Sequence, residues 1–126
     1  MRSITLFGCV ITLFGCSFFQ NLPQTLAKTE AAEVTLEKAA MPAIDQICSS
    51  KRAACDSAGD KVCESVVKCA AVRSDVAKGF IMFHLFIADA QSANALGHSQ
   101  DAADALAKAV DLFVKIRAQL VQEGVL

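Results

Sequence analysis

Along most of this chain apolar residues recur at steps of three and four, and no stretch alternates apolar and polar positions for long enough to make a strand. The pattern predicts an all-α fold, a small helical bundle of four or five helices. The clearest stripe is Ala102, Leu106, Val110, Phe113, Ile116 and Leu120, in a helix over about 99–124. Asp104, Lys108, Asp111, Lys115 and Gln119 fall on its other side. Ser99 is placed to cap this helix, Asp101 and Asp104 suit the positive end of its dipole, and Gly124 ends it. A helix over about 74–96 carries Phe80-Ile81-Met82-Phe83-His84-Leu85-Phe86-Ile87-Ala88, apolar nearly all round. A helix apolar on every side is expected to be buried on every side, as the central element of the bundle. Gly97 stops it, and Ser74 either caps it or is passed straight through. Further helices are expected over about 28–41, closed by Pro42, over about 43–57, and over about 60–72 with Asp60 as N-cap. Ser57-Ala58-Gly59-Asp60 reads as the turn between the last two.

The first residues have a different pattern. Arg2 is the only charge before an apolar run that ends at Cys16, the arrangement of a secretory signal. The run is shorter than the roughly 20 apolar residues of a membrane-spanning helix. The hexapeptide ITLFGC occurs at 4–9 and again at 11–16. Leu13-Phe14-Gly15-Cys16 resembles the box of bacterial lipoproteins, with Leu at −3, a small residue at −1 and Cys at +1. Phe14 departs from the usual residue types at −2. The resemblance covers the first 16 residues and implies lipidation of Cys16 and a membrane-anchored protein facing the periplasm or the cell surface. Ser17 at +2 implies sorting to an outer membrane where the cell has one. The competing reading is cleavage after Thr25-Leu26-Ala27, which would release a soluble secreted protein. The expected organisation is a signal over 1–16, a tether over 17–27 in which Pro23 stops any early helix, and a helical domain over 28–126. Within that domain 43–72 forms a cysteine-stapled hairpin and 74–124 a helical hairpin.

Composition narrows the class. The 126 residues carry 12 Lys and Arg against 13 Asp and Glu, so the basic excess that nucleic acid requires is missing. Apolar residues make up 54% of the chain, too many for a disordered tail.

Of the six cysteines, the four at 48, 55, 63 and 69 carry most of the information. Cys48 and Cys55 are seven apart, about 10 Å along a continuous helix, and Cys63 and Cys69 are six apart, about 9 Å. Both spans exceed the roughly 7 Å between the Cα atoms of a disulfide. Folding the chain at Gly59 brings Cys55 opposite Cys63 and Cys48 opposite Cys69, whereas the crossed pairing is out of step. The expected bridges are therefore Cys48–Cys69 and Cys55–Cys63. One difficulty accompanies them: on a helix Cys63 and Cys69 point about 120° apart. The gaps do not suit zinc, and no Cys-x-x-Cys is present for redox or haem attachment.

Other chemistry is sparse. His84 could be a haem or metal ligand with Met82 or Met41 as partner, but the preferred reading places it at the edge of the core with its nitrogens satisfied locally. His98 belongs to a solvated turn, and Lys51, Arg52, Lys61 and Lys68 to a solvated face. The chain contains no Gly-x-Ser-x-Gly, phosphate loop or dinucleotide fingerprint, so no enzyme activity, cofactor or metal is assigned. The expected function is that of a non-catalytic envelope protein, lipid-anchored and bound to a protein partner. Phe80, Phe83, Phe86, Ile87 and Phe113 form its core or a docking patch. The alternatives are a small-ligand carrier, with Phe80, Phe83, Phe86 and Phe113 lining a pocket for haem or an apolar molecule, and a soluble effector or inhibitor released after Ala27.

Overall fold

The computed structural model describes residues 21–59 and 63–126. The signal segment with Cys16, residues 17–20 of the expected tether, the expected N-cap Asp60 and Lys61 lie outside the described residues. Among these residues the fold is all-helical. Three helices, α1 (Leu22–Ser57), α2 (Glu64–Ala95) and α3 (Ser99–Gln122), run up, down and up.

Three is fewer than the expected four or five, and two boundaries account for the difference. Pro42 lies inside α1 instead of closing a helix. Its ring faces solvent, and so does Lys38, whose carbonyl would have received the missing N–H. Ala40 and Ile44 are buried on either side of it, so packing holds the helix together across the proline. At Ser74 the chain passes straight through, and the expected third and fourth helices are one.

The segment expected as a tether is also helical from Leu22 on. Pro23 occupies one of the first two helical positions, where its missing N–H has no intrahelical partner to lose. It begins the helix that it was expected to stop. Leu22 and Leu26 are buried in the core.

The turns are short, which makes neighbouring helices antiparallel. At the end of α2 the N–H of His98 donates to the Ala93 carbonyl (2.9 Å) and that of Gly97 to the Asn94 carbonyl (3.1 Å). That is the Schellman arrangement, and Gly97 adopts the φ of 76° that it requires. Gly59 does the same at the end of α1, with φ 69°. Ser99 is the first residue of α3 and His98 its cap, with no side-chain capping bond.

The core has two parts. Leu22 and Leu26 of α1 meet Phe83, Ile87 and Ala90 of α2 and Ala102, Leu106 and Ala109 of α3 at one end. Ala40 and Ile44 meet Val76, Phe80, Ile116 and Leu120 toward the other. The predicted α3 stripe is largely inside, but Val110 is exposed and Ala103 and Ala109 are buried. α2 is not buried on all sides: Ile81, Met82 and Leu85 face solvent at 60%, 44% and 53% exposure. In a three-helix bundle each helix has two neighbours, so part of its circumference stays open whatever residues occupy it.

Two disulfides staple α1 to α2 at the turn end. Cys48 pairs with Cys69, with Cα atoms 5.7 Å apart, and Cys55 pairs with Cys63, with Cα atoms 6.0 Å apart. The 120° difficulty disappears because Cys63 precedes α2 in an extended conformation and so is not on the helix. Asp45 and Arg73 pair across the same two helices.

Replacing Cys48 and Cys69 together by Ser, which opens a 21-residue loop, is expected to lower stability by about 3 kcal/mol in urea melts of the oxidised protein, and by nothing in excess reductant. Phe83→Ala, at a fully buried position, is expected to cost about 3–5 kcal/mol in the same melts.

Candidate functional site

Between the two halves of the core, α1 places a glutamate where an apolar residue belongs. The buried stripe of α1 runs Leu22, Leu26, Glu33, Ala40 and Ile44, and Glu33 is as buried as the rest, at 0% exposure. It lies seven residues from Leu26 and seven from Ala40, two turns of helix either way. Glu37 follows one turn later on the same side of α1, and His84 comes from the facing turn of α2.

The three side chains converge. His84 Nε2 lies 3.2 Å from Glu33 Oε1 and 3.3 Å from Glu37 Oε2. One nitrogen and one oxygen from each carboxyl group all lie within 4.8 Å of one another. Among the described residues this is where His, Cys, Asp and Glu side chains gather in a group of three. The approach to Glu37 has hydrogen-bond geometry. The approach to Glu33 does not, and both Glu33 oxygens are buried without a hydrogen bond. Glu37 and His84 are part-exposed, at 40% and 43%, so the cluster is closed on the Glu33 side and open to water on the other.

The electrostatics follow from this placement. Burial pushes the Glu33 carboxyl up to about 7, helped by the proton it can share with Glu37 and by the negative charges of Glu37 and Glu30, while His84 pulls the other way. The site can therefore take up or release a proton near neutrality.

The other sequence-predicted residues are dispersed. Phe80, Phe83 and Ile87 are buried, and Phe86 and Phe113 lie part-buried against the first core cluster. Phe83 and Phe113 stack at a tilt with centroids 6.2 Å apart. These rings fill the core. Met41 packs on the second cluster and Met82 is exposed, while the groups at His84 Nε2 are carboxylates. His84 does sit at the edge of the core, but its partners come from α1. His98 is exposed with Nδ1 3.9 Å from Asp101. A cavity of about 180 Å³ opens at the bridged end between Ile44, Ile47, Lys51, Lys68, Cys69 and Val72.

Sequence reasoning missed Glu33 and Glu37. A signal was available: Glu33 stands in register with Leu26, Ala40 and Ile44. Breaking α1 at residue 28 and at Pro42 hid that register. The chain matches no protein family, no curated protein and no solved structure.

A pH prediction follows from Glu33. Its folded pKa is raised, so between about 4.5 and 7 the folded state holds a proton that the unfolded state has lost. This contribution is full at acid pH, falls as pH rises through that window by at most about 1.4 kcal/mol per unit, and is gone above it. In buffer free of divalent cations, Glu33→Gln is expected to flatten the pH dependence of the urea midpoint across this window, relative to the parent chain. Superimposable pH profiles for the two proteins would refute the assignment.

Proposed function

We propose that this chain is an exported, non-catalytic helical module, held at a membrane by lipid on Cys16 and presenting its bundle to a protein partner in the cell envelope. The observation that carries the reading is the pair of bridges, Cys48–Cys69 and Cys55–Cys63. Disulfides of this kind persist in oxidising compartments and are rare in the cytosol.

Packing favours Cys16 over Ala27 as the processing point. Cleavage after Ala27 would remove Leu22 and Leu26, two of the buried residues of the first core cluster, together with the first turns of α1. Each buried Leu contributes about 1.5–3 kcal/mol of apolar burial. Processing at Cys16 leaves both in place and puts a lipid a few residues before the helix begins. Among the described residues no helix is long and apolar enough to cross a membrane.

The surface supports a binding role. Ile81 and Leu85 are one turn apart on the exposed side of α2. Val110, Val114 and Val121 recur along one exposed side of α3. Apolar residues repeated along a helix face are what helix-docking partners use. The part-exposed ones gain by being covered.

Growth of a bacterial host expressing the full chain with radiolabelled palmitate tests the anchor. Label on the protein and its recovery in the membrane fraction are expected, with both lost in Cys16→Ala. An unlabelled soluble product beginning at Lys28 would replace this reading with the secreted one.

A further inference from the structure

We propose that Glu33, Glu37 and His84 form a binding site for one divalent transition-metal cation of the Zn²⁺ class, clamped between α1 and α2 at the middle of the bundle. The proposal is independent of lipid anchoring and of any protein partner.

Three observations carry it. The first is geometric. Ligand atoms about 2.0–2.1 Å from a tetrahedral metal stand about 3.3 Å from one another. His84 Nε2 lies 3.2 Å and 3.3 Å from the two carboxylate oxygens, near that separation, and ligand atoms of all three side chains lie within 4.8 Å of one another, close enough to converge on one cation. The second is Glu33 itself. It is fully buried, it points into the cluster, and neither of its oxygens has a hydrogen bond. A fully buried carboxyl group whose oxygens lack a well-formed hydrogen bond is costly even with His84 Nε2 3.2 Å away, and an apolar residue at this position would have continued the stripe of Leu26 and Ala40. The third is charge. Two carboxylates and a dication sum to zero, which removes the penalty of leaving Glu33 ionised beside the core.

The donor set selects the class of ion. One imidazole and two carboxylates suit Zn²⁺ and its first-row neighbours, whereas Ca²⁺ and Mg²⁺ prefer oxygen alone. The solvent side, formed by part-exposed Glu37 and His84, offers an access path and room for water as the fourth ligand. A cation held there would cross-link α1 to α2 far from the disulfides, where, among the described residues, the core is interrupted by an ionisable group.

The test uses the full oxidised chain, stripped with chelator and dialysed. Calorimetric titration with Zn²⁺ is expected to show one equivalent that His84→Asn and Glu37→Gln each weaken more than about tenfold. Both positions are part-exposed, so these variants should keep the helical spectrum of the parent. Glu33→Gln keeps the shape and removes the charge, and it should lose the same equivalent while remaining folded. Saturating Zn²⁺ should raise the melting temperature of the parent and leave that of His84→Asn unmoved. Co²⁺ should give a visible d–d band without the near-ultraviolet thiolate transition that binding at Cys9 or Cys16 would produce. A Zn²⁺ stoichiometry and melting shift unchanged by His84→Asn would overturn the proposal, as would an absence of saturable binding below millimolar Zn²⁺.

Discussion

The Cys48–Cys69 bridge sets the register between α1 and α2, and the rest of the molecule depends on that register. Glu33 stands fifteen residues before Cys48, and His84 stands fifteen residues after Cys69. The antiparallel pairing therefore runs without slippage from the bridge to the cluster, roughly 22 Å away along the helices. Pro42 lies in this stretch and does not disturb it. Were α1 to slide by one residue against α2, its stripe would rotate by about 100° and Glu33 would leave His84. The covalent staple thus does more than restrict the unfolded chain. It selects one of several near-equivalent ways in which two alanine-rich helices could pack, and the Asp45–Arg73 pair sits in the same alignment.

Within that register, among the described residues, the core is interrupted once. Leu22 and Leu26 belong to one cluster and Ala40 and Ile44 to the other, with Glu33 between them. A polar group at such a place lowers stability unless it is protonated, paired or bound, and all three states involve His84 or Glu37. The two small clusters flanking it gain from the covalent staple at one end and from the Schellman turn that joins α2 to α3 at the other. The fold spends part of its limited core on an ionisable side chain, which makes that side chain the strongest pointer to chemistry in the described residues.

The number of helices also decides what the surface offers. Four or five helices would have enclosed α2, and its apolar run would then be a core feature only. Three leave Ile81 and Leu85 outside, while Phe80, Phe83 and Ile87 on the same helix are inside. The same nine-residue run thus supplies the centre of the core and an exposed apolar side. That division is compatible with a module that docks, and it packs Phe80 and Phe83 inside the two core clusters.

Several features were legible in the residues alone. Three- and four-residue spacing establishes helices wherever it is sustained, because the period of the helix is a property of the backbone. The nested bridges follow from chain arithmetic about Gly59, because a hairpin admits only pairs at equal heights. Gly97 and Gly124 mark helix ends because few other residues accept their backbone angles. Tertiary structure decided what local pattern could not. Pro23 and Pro42 are helix breakers by local rule, but one sits where its N–H is not needed and the other is carried by buried neighbours on both sides. Cys63 escapes the helix that its neighbours form. Glu33 becomes a site only when Leu26, Ala40 and His84 surround it, since a carboxyl group acquires its character from burial and from partners distant in sequence.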